Sequence, residues 1–110
     1  MQYESGSTLI QRLKEAGSTR FEPWIIYPDE VQAVVQAGIS QRYPLRRLQV
    51  FAGRLDNDDR ACFDLDGEPG CVSVVHDFAG EGWEQVVKFA DERAWLRSAI
   101  EDFIEFEPGD

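Results

Sequence analysis

Residues 46–78, RRLQVFAGRLDNDDRACFDLDGEPGCVSVVHDF, hold strand-like runs separated by two stretches of turn chemistry, and the run at 60–66 alternates cleanly between apolar and polar side chains. A period of two belongs to strands, not helices. In RACFDLD (60–66), Ala61, Phe63 and Leu65 point one way and Arg60, Cys62, Asp64 and Asp66 the other. Before it, Leu48 and Val50, with Ala52 as a third candidate, share a side of a strand over 46–55. After it, Val72, Val74 and His76 share a face over 71–78. Asp56-Asn57-Asp58-Asp59 tolerates the positive φ of a tight turn, and Gly67-Glu68-Pro69-Gly70 is a second turn. This spacing predicts successive antiparallel hairpins, a meander.

The flanks read as helices and short strands. Leu9, Ile10, Leu13 and Ala16 recur at helical spacing, with Ser5 or Ser7 to cap the start and Gly17 to end the helix left-handed. Pro23 biases Glu22 to extended geometry, and Trp24-Ile25-Ile26-Tyr27 is an edge strand or an extended core segment; its length does not decide. A second helix is expected at about 28–37, with Pro28, Asp29 and Glu30 suited to its start, Val31, Val34 and Val35 inward, and Gly38 at its exit. WEQVVKFA (83–90) is a candidate fourth strand of the meander. Asp91 opens a last helix, DERAWLRSAIEDFIEF, whose apolar face is Leu96, Ile100, Phe103 and Ile104 with Trp95 and Ala99 beside it; the EPGD tail is expected to fray. The expected fold is α+β, one domain over residues 1–110: a twisted, largely antiparallel sheet of four to five strands with helices packed on one face.

At 110 residues, a chain can bury roughly two thirds of its unfolded surface, so folding needs neither metal nor disulfide. No apolar run approaches the ~20 residues of a membrane span. The polar, amphipathic start lacks a signal-peptide pattern, so a cytoplasmic location is expected. Residues 1–55 carry seven Lys/Arg against five Asp/Glu, and residues 56–110 carry four against sixteen, which together give the net −10. Such a field repels nucleic acid and anionic membrane and attracts basic partners; alternatively the acids only keep the domain soluble. The basic cluster Arg42, Arg46 and Arg47 either pairs with the acidic half inside the fold, which is the expectation, or forms a separate surface. Cys62 and Cys71 read as free, partly buried thiols.

No residue set makes a convincing catalytic centre. A calcium loop begun at Asp56 puts Arg60 at position 5 and Ala61 where glycine belongs; one begun at Asp64 puts Pro69 there. A single His leaves a zinc site short of ligands. His76-Asp77 with Cys62 or Ser73 lacks a glycine-bracketed nucleophile elbow, and no spacing singles out a carboxylate pair. Hence no catalytic, metal or cofactor residues are expected, and no cofactor. What remains is a surface: Asp56, Asp58 and Asp59 on one turn, Asp64 and Asp66 leading into the next, and Asp77, Glu81 and Glu84 flanking Trp83. If the loops converge, these form an acidic rim around an exposed aromatic, a fast-associating protein-binding site; the competing reading makes Trp83 a core residue and the acids merely solvated.

The order of elements also resembles the SUKH superfamily, which includes bacterial immunity proteins and fungal cell-wall-assembly regulators. The residues that carry the resemblance are Val50-Phe51-Ala52, the turn Asp56 to Asp59, Cys62-Phe63-Asp64-Leu65, Gly67 with Gly70, and Val74-Val75-His76-Asp77, within about residues 28–104. The resemblance implies a SUKH-like fold and a non-enzymatic immunity protein that neutralises a cognate toxin, often a nuclease and therefore basic, by direct binding. The alternative is a regulatory adaptor with a constitutive host partner. A third class, an enzyme or small-ligand binder, would need a pocket around His76 and Cys62.

Overall fold

The computed structural model describes residues 8–107. The expected cap at Ser5 or Ser7, and the tail beyond Glu107, lie outside the described residues. The elements are α1 (Thr8–Glu15), β1 (Arg20–Phe21), β2 (Trp24–Ile26), α2 (Asp29–Arg42), β3 (Leu48–Arg54), β4 (Asp59–Asp64), β5 (Val72–His76), β6 (Gln85–Phe89) and α3 (Glu92–Glu105). The strands pair antiparallel in chain order into one open six-stranded sheet. The expected meander is its centre, and the Trp24 segment and the 83–90 candidate are both strands. The count of four to five falls short because two-residue β1, at the outer edge, is too short to display a period.

The central strands are apolar on both faces, and this sets the layers. On one face Trp24, Ile26, Phe51, Ala61, Phe63, Val72 and Val74 pack with Ile10 of α1 and with Trp95 and Ala99 of α3. On the other, Tyr27, Leu48, Val50, Cys62 and Val75 pack with Ile39 and Tyr43 from α2 and its exit. Helices therefore cover both faces, not one as expected. Cys62 beside Phe63, and Val75 beside Val74, leave apolar surface on either side, which must be buried. A β-bulge sharpens the division. Register passes from Val50↔Cys62 to Ala52↔Ala61, so Phe51 is the extra residue. Ala52 thereby joins Phe51 on the α1–α3 face instead of sharing a side with Leu48 and Val50.

The helices dock differently from their apolar spacing. In α2, Val31 and Val34 are exposed and Val35 is half-buried, while the anchors are Ile39 and Tyr43. Burying Ile39 contributes about 2 kcal/mol, which carries the helix a turn past Gly38. It stops where Tyr43, preceding Pro44, leaves the helical region (φ −128°, ψ 64°). Gly38 instead provides room: a Cβ there would lie 2.7 Å from Nη2 of Arg42. In α3, Asp91 caps the start by accepting the Ala94 N–H at 2.9 Å. Its buried face is Glu92, Trp95 and Ala99; Leu96 and Ile100 are half-buried, and Phe103 and Ile104 are exposed. Trp95 decides the rotation by meeting Trp24 and Phe51 edge-on, at 5.5 and 4.9 Å between ring centroids.

α1 ends as expected, with Gly17 at φ +74°. The Ser18 N–H donates to the Leu13 carbonyl and the Gly17 N–H to that of Lys14, a Schellman exit. Its other end is held from far along the chain. The buried Glu92 carboxylate accepts the N–H groups of Ile10 at 3.1 Å and Leu9 at 3.4 Å.

Candidate partner-binding site

α2 packs over β3. Beyond it, the same face of the sheet is covered by arginines that meet the acidic half. Arg42 grips Asp77 with Nε and Nη2, both at 2.7 Å; Arg60 Nε adds a contact at 3.3 Å, and the Phe78 N–H donates to the same carboxylate at 2.9 Å. Arg46 spans two acids, reaching Glu84 at 2.9 Å and Asp64 at 3.1 Å, and Ser73 Oγ donates to Asp64 at 2.9 Å. Arg47 holds Asp66 at 2.7 Å. The basic cluster thus pairs inward, as expected.

Burial alone would raise the Asp64, Asp77 and Glu84 carboxyls. The bonds from Ser73 and Arg46 to Asp64, from Arg42 and Arg60 to Asp77, and from Arg46 to Glu84 outweigh it and hold all three below the usual carboxylate range. These three acids are buried and ion-paired, which corrects their place among the partner-binding residues. Asp66 is also removed from the rim, because it follows the far end of β4 from Asp58, about 17 Å away at ~3.3 Å per residue. The loops therefore do not all converge.

Two of them do share one end of the sheet. The Asp77 N–H donates to the Asp58 carbonyl at 2.9 Å, which joins the β3–β4 turn to the long β5–β6 loop. Here Asp58 and Glu81 are exposed, Asp56 pairs with Arg54, and half-buried Asp59 lies 2.8 Å from His76 Nδ1. Trp83 is 83% exposed, which decides against a core role, and Phe78, not singled out from sequence, is 61% exposed.

Loop 77–84 is firmly built. Asp77 and Glu84 anchor its ends, the Tyr43 hydroxyl donates to the Ala79 carbonyl at 2.8 Å, and the Trp83 N–H donates to that of Gly80 at 2.9 Å. Gly82 adopts φ +94°, and its N–H donates to Glu84 Oε1 at 2.7 Å. Phe78 sits at φ +71°, where a bulky side chain is strained, with the Arg42 guanidinium 4.0 Å above its ring. The signal available in the sequence was Asp-Phe-Ala-Gly-Glu-Gly-Trp: two aromatics in a segment too rich in glycine to be a strand.

The imagined nucleophilic arrangement does not assemble. Cys62, paired with Ser73, faces α2, whereas His76, paired with Asp59, points from the other face. Burial pushes the Cys62 thiol far above its ordinary value, and the Ser73 hydroxyl is committed to Asp64. Cys62 and Cys71 are both free and buried. Among the described residues no cluster of three or more His, Cys, Asp or Glu could hold a metal ion, and no helix is long and apolar enough to cross a membrane. Compared with protein-family models, curated proteins and solved structures, the chain matches none.

Proposed function

We propose that this chain is a non-enzymatic binding protein of SUKH type, an immunity protein that captures a basic, nuclease-type toxin through the end of the sheet formed by the β3–β4 turn and loop 77–84. The observation that carries the reading is the pair Phe78 and Trp83, two exposed aromatics on a loop pinned at both ends by buried arginine–carboxylate contacts. Large aromatics on a preorganised loop are the usual anchors of a protein interface, because little conformational entropy remains to be lost. Strain held at Phe78 supports the same reading, since such outliers gather where a side chain must be presented. Asp58 and Glu81 beside the aromatics, within a net charge of −10, add steering toward a basic surface.

The test is capture of a basic toxin domain by the intact chain, at low and high salt, with Trp83→Ala, Phe78→Ala and the pair Asp58→Asn/Glu81→Gln. Either aromatic change should weaken binding more than ten-fold, and the charge change should slow association and flatten its salt dependence. Binding that ignores all of these changes would remove the site. A constitutive host protein captured with the same dependence would favour the adaptor alternative over the immunity protein.

A further inference from the structure

The apolar face that α3 was expected to turn inward is largely left outside. Trp95 and Ala99 take the core side; Leu96 is half-buried against the edge of that core, Ile100 is half-buried, and Phe103 and Ile104 are exposed, Ile104 by 65%, so the apolar stripe runs from the core edge out to solvent. Positions 96, 100 and 103 follow the four-then-three spacing of a helix–helix seam. Of the charges on this helix, Glu92 is buried in the first turn and Asp102 pairs with Arg54; the exposed remainder is separated by sign, with Arg93 and Arg97 toward its start and Glu101 and Glu105 toward its end. These four are exposed, and among the described residues none has an ion-pair partner.

We infer that this face binds a second copy of the same chain, α3 against α3 in antiparallel orientation about a two-fold axis near Ile100. In such a pair the same flank of each helix meets its counterpart and residue order is reversed. Leu96 then packs against Ile104 of the second copy, Ile100 lies close to its own counterpart, and Arg97 on the flank of the seam faces the second copy's Glu101. A parallel pair would set Arg against Arg and Glu against Glu, so the charge order selects the antiparallel one. The occupant is self-complementary, as a two-fold interface requires. α3 has 14 residues, about 21 Å at ~1.5 Å per residue, so the seam is at the small end of stable interfaces and association should be concentration-dependent. The seam shares no residue with the surface proposed for the toxin, and this inference stands without that reading.

Sedimentation of the intact chain across a dilution series tests it, with far-UV circular dichroism as the check on folding. The expected result is a monomer–dimer equilibrium weakened at least ten-fold by Ile104→Glu and by Arg97→Glu, both at exposed positions. The double change Arg97→Glu with Glu101→Arg should restore the dimer, because it reverses the pairing without removing it. A monomer at every concentration overturns the inference. So does a dimer indifferent to the single changes, or a loss that the double reversal does not repair.

Discussion

Asp77→Ala is the sharpest test of how the loop is held. The Asp77 side chain is fully buried and receives bidentate Arg42, Arg60 and its neighbour's N–H. Truncation leaves two guanidinium groups without their carboxylate, and removing one partner of a buried pair costs about 3–5 kcal/mol. Arg42, at 32% side-chain exposure, can partly recover hydration, whereas Arg60, at 16%, has less access to water. The lower end, ~3 kcal/mol, is therefore expected, equivalent to ~13 °C in Tm for a domain of this size. Asp77→Asn keeps an acceptor for the Phe78 N–H and should cost about 1–2 kcal/mol. Urea denaturation followed by tryptophan fluorescence gives both values, and a cycle with Arg42→Met isolates the pair. A loss under ~0.5 kcal/mol for Asp77→Ala, the range of an ordinary surface change, would refute the claim that this contact anchors loop 77–84.

Further outcomes follow from the same contacts. Because Asp64, Asp77 and Glu84 titrate lower in the folded than in the unfolded chain, their stabilisation is complete above the unfolded values of about 4 and is lost as pH falls through the lowered ones. Urea midpoints should therefore change little between pH 7 and 5 on their account and fall steeply below about pH 4. Phe78→Gly should be at least as stable as Phe78→Ala, since glycine relieves the positive φ; a less stable glycine variant in thermal melts would show that Phe78 is not strained. Glu92→Ala should cost about 1–2 kcal/mol and selectively raise amide exchange at Leu9 and Ile10. Trp95 Nε1 is buried without an acceptor, so Trp95→Phe should cost under ~1 kcal/mol where Trp95→Ala costs about 3–5, as measured by denaturation.

The meander was legible because Ala61 and Phe63 against Cys62 and Asp64 encode a period of two that no helix shares. Its covering layers were not, since both faces of those strands carry apolar residues and the pattern does not say which helix lies where. α3 misleads for a physical reason: four apolar residues form a clear stripe, yet the larger Trp95 and the small Ala99 a third of a turn away fit the sheet better. The acidic rim failed in a related way. Composition sees Asp64, Asp77 and Glu84 only as charges, while their distances to Arg42, Arg46 and Arg60 depend on how α2 exits. The exposure of Trp83 could be decided only once loop 77–84 was seen to leave the sheet.

The contact between Glu92 and the start of α1 also bears on when the chain can fold. An eight-residue helix is well below the ~12–15 residues that hold together alone in water. Its leading N–H groups are satisfied by a residue 82 positions later. During synthesis α1 therefore emerges without the carboxylate that holds its start, and gains that contact only after Glu92 has left the ribosome. Nucleation then falls to the local hairpins of β3 to β5, and α1 and α3 close over them together in a late, concerted step. A chain halted before Glu92 would lack α3 and leave α1 without its partner, so one face of the sheet would stay uncovered.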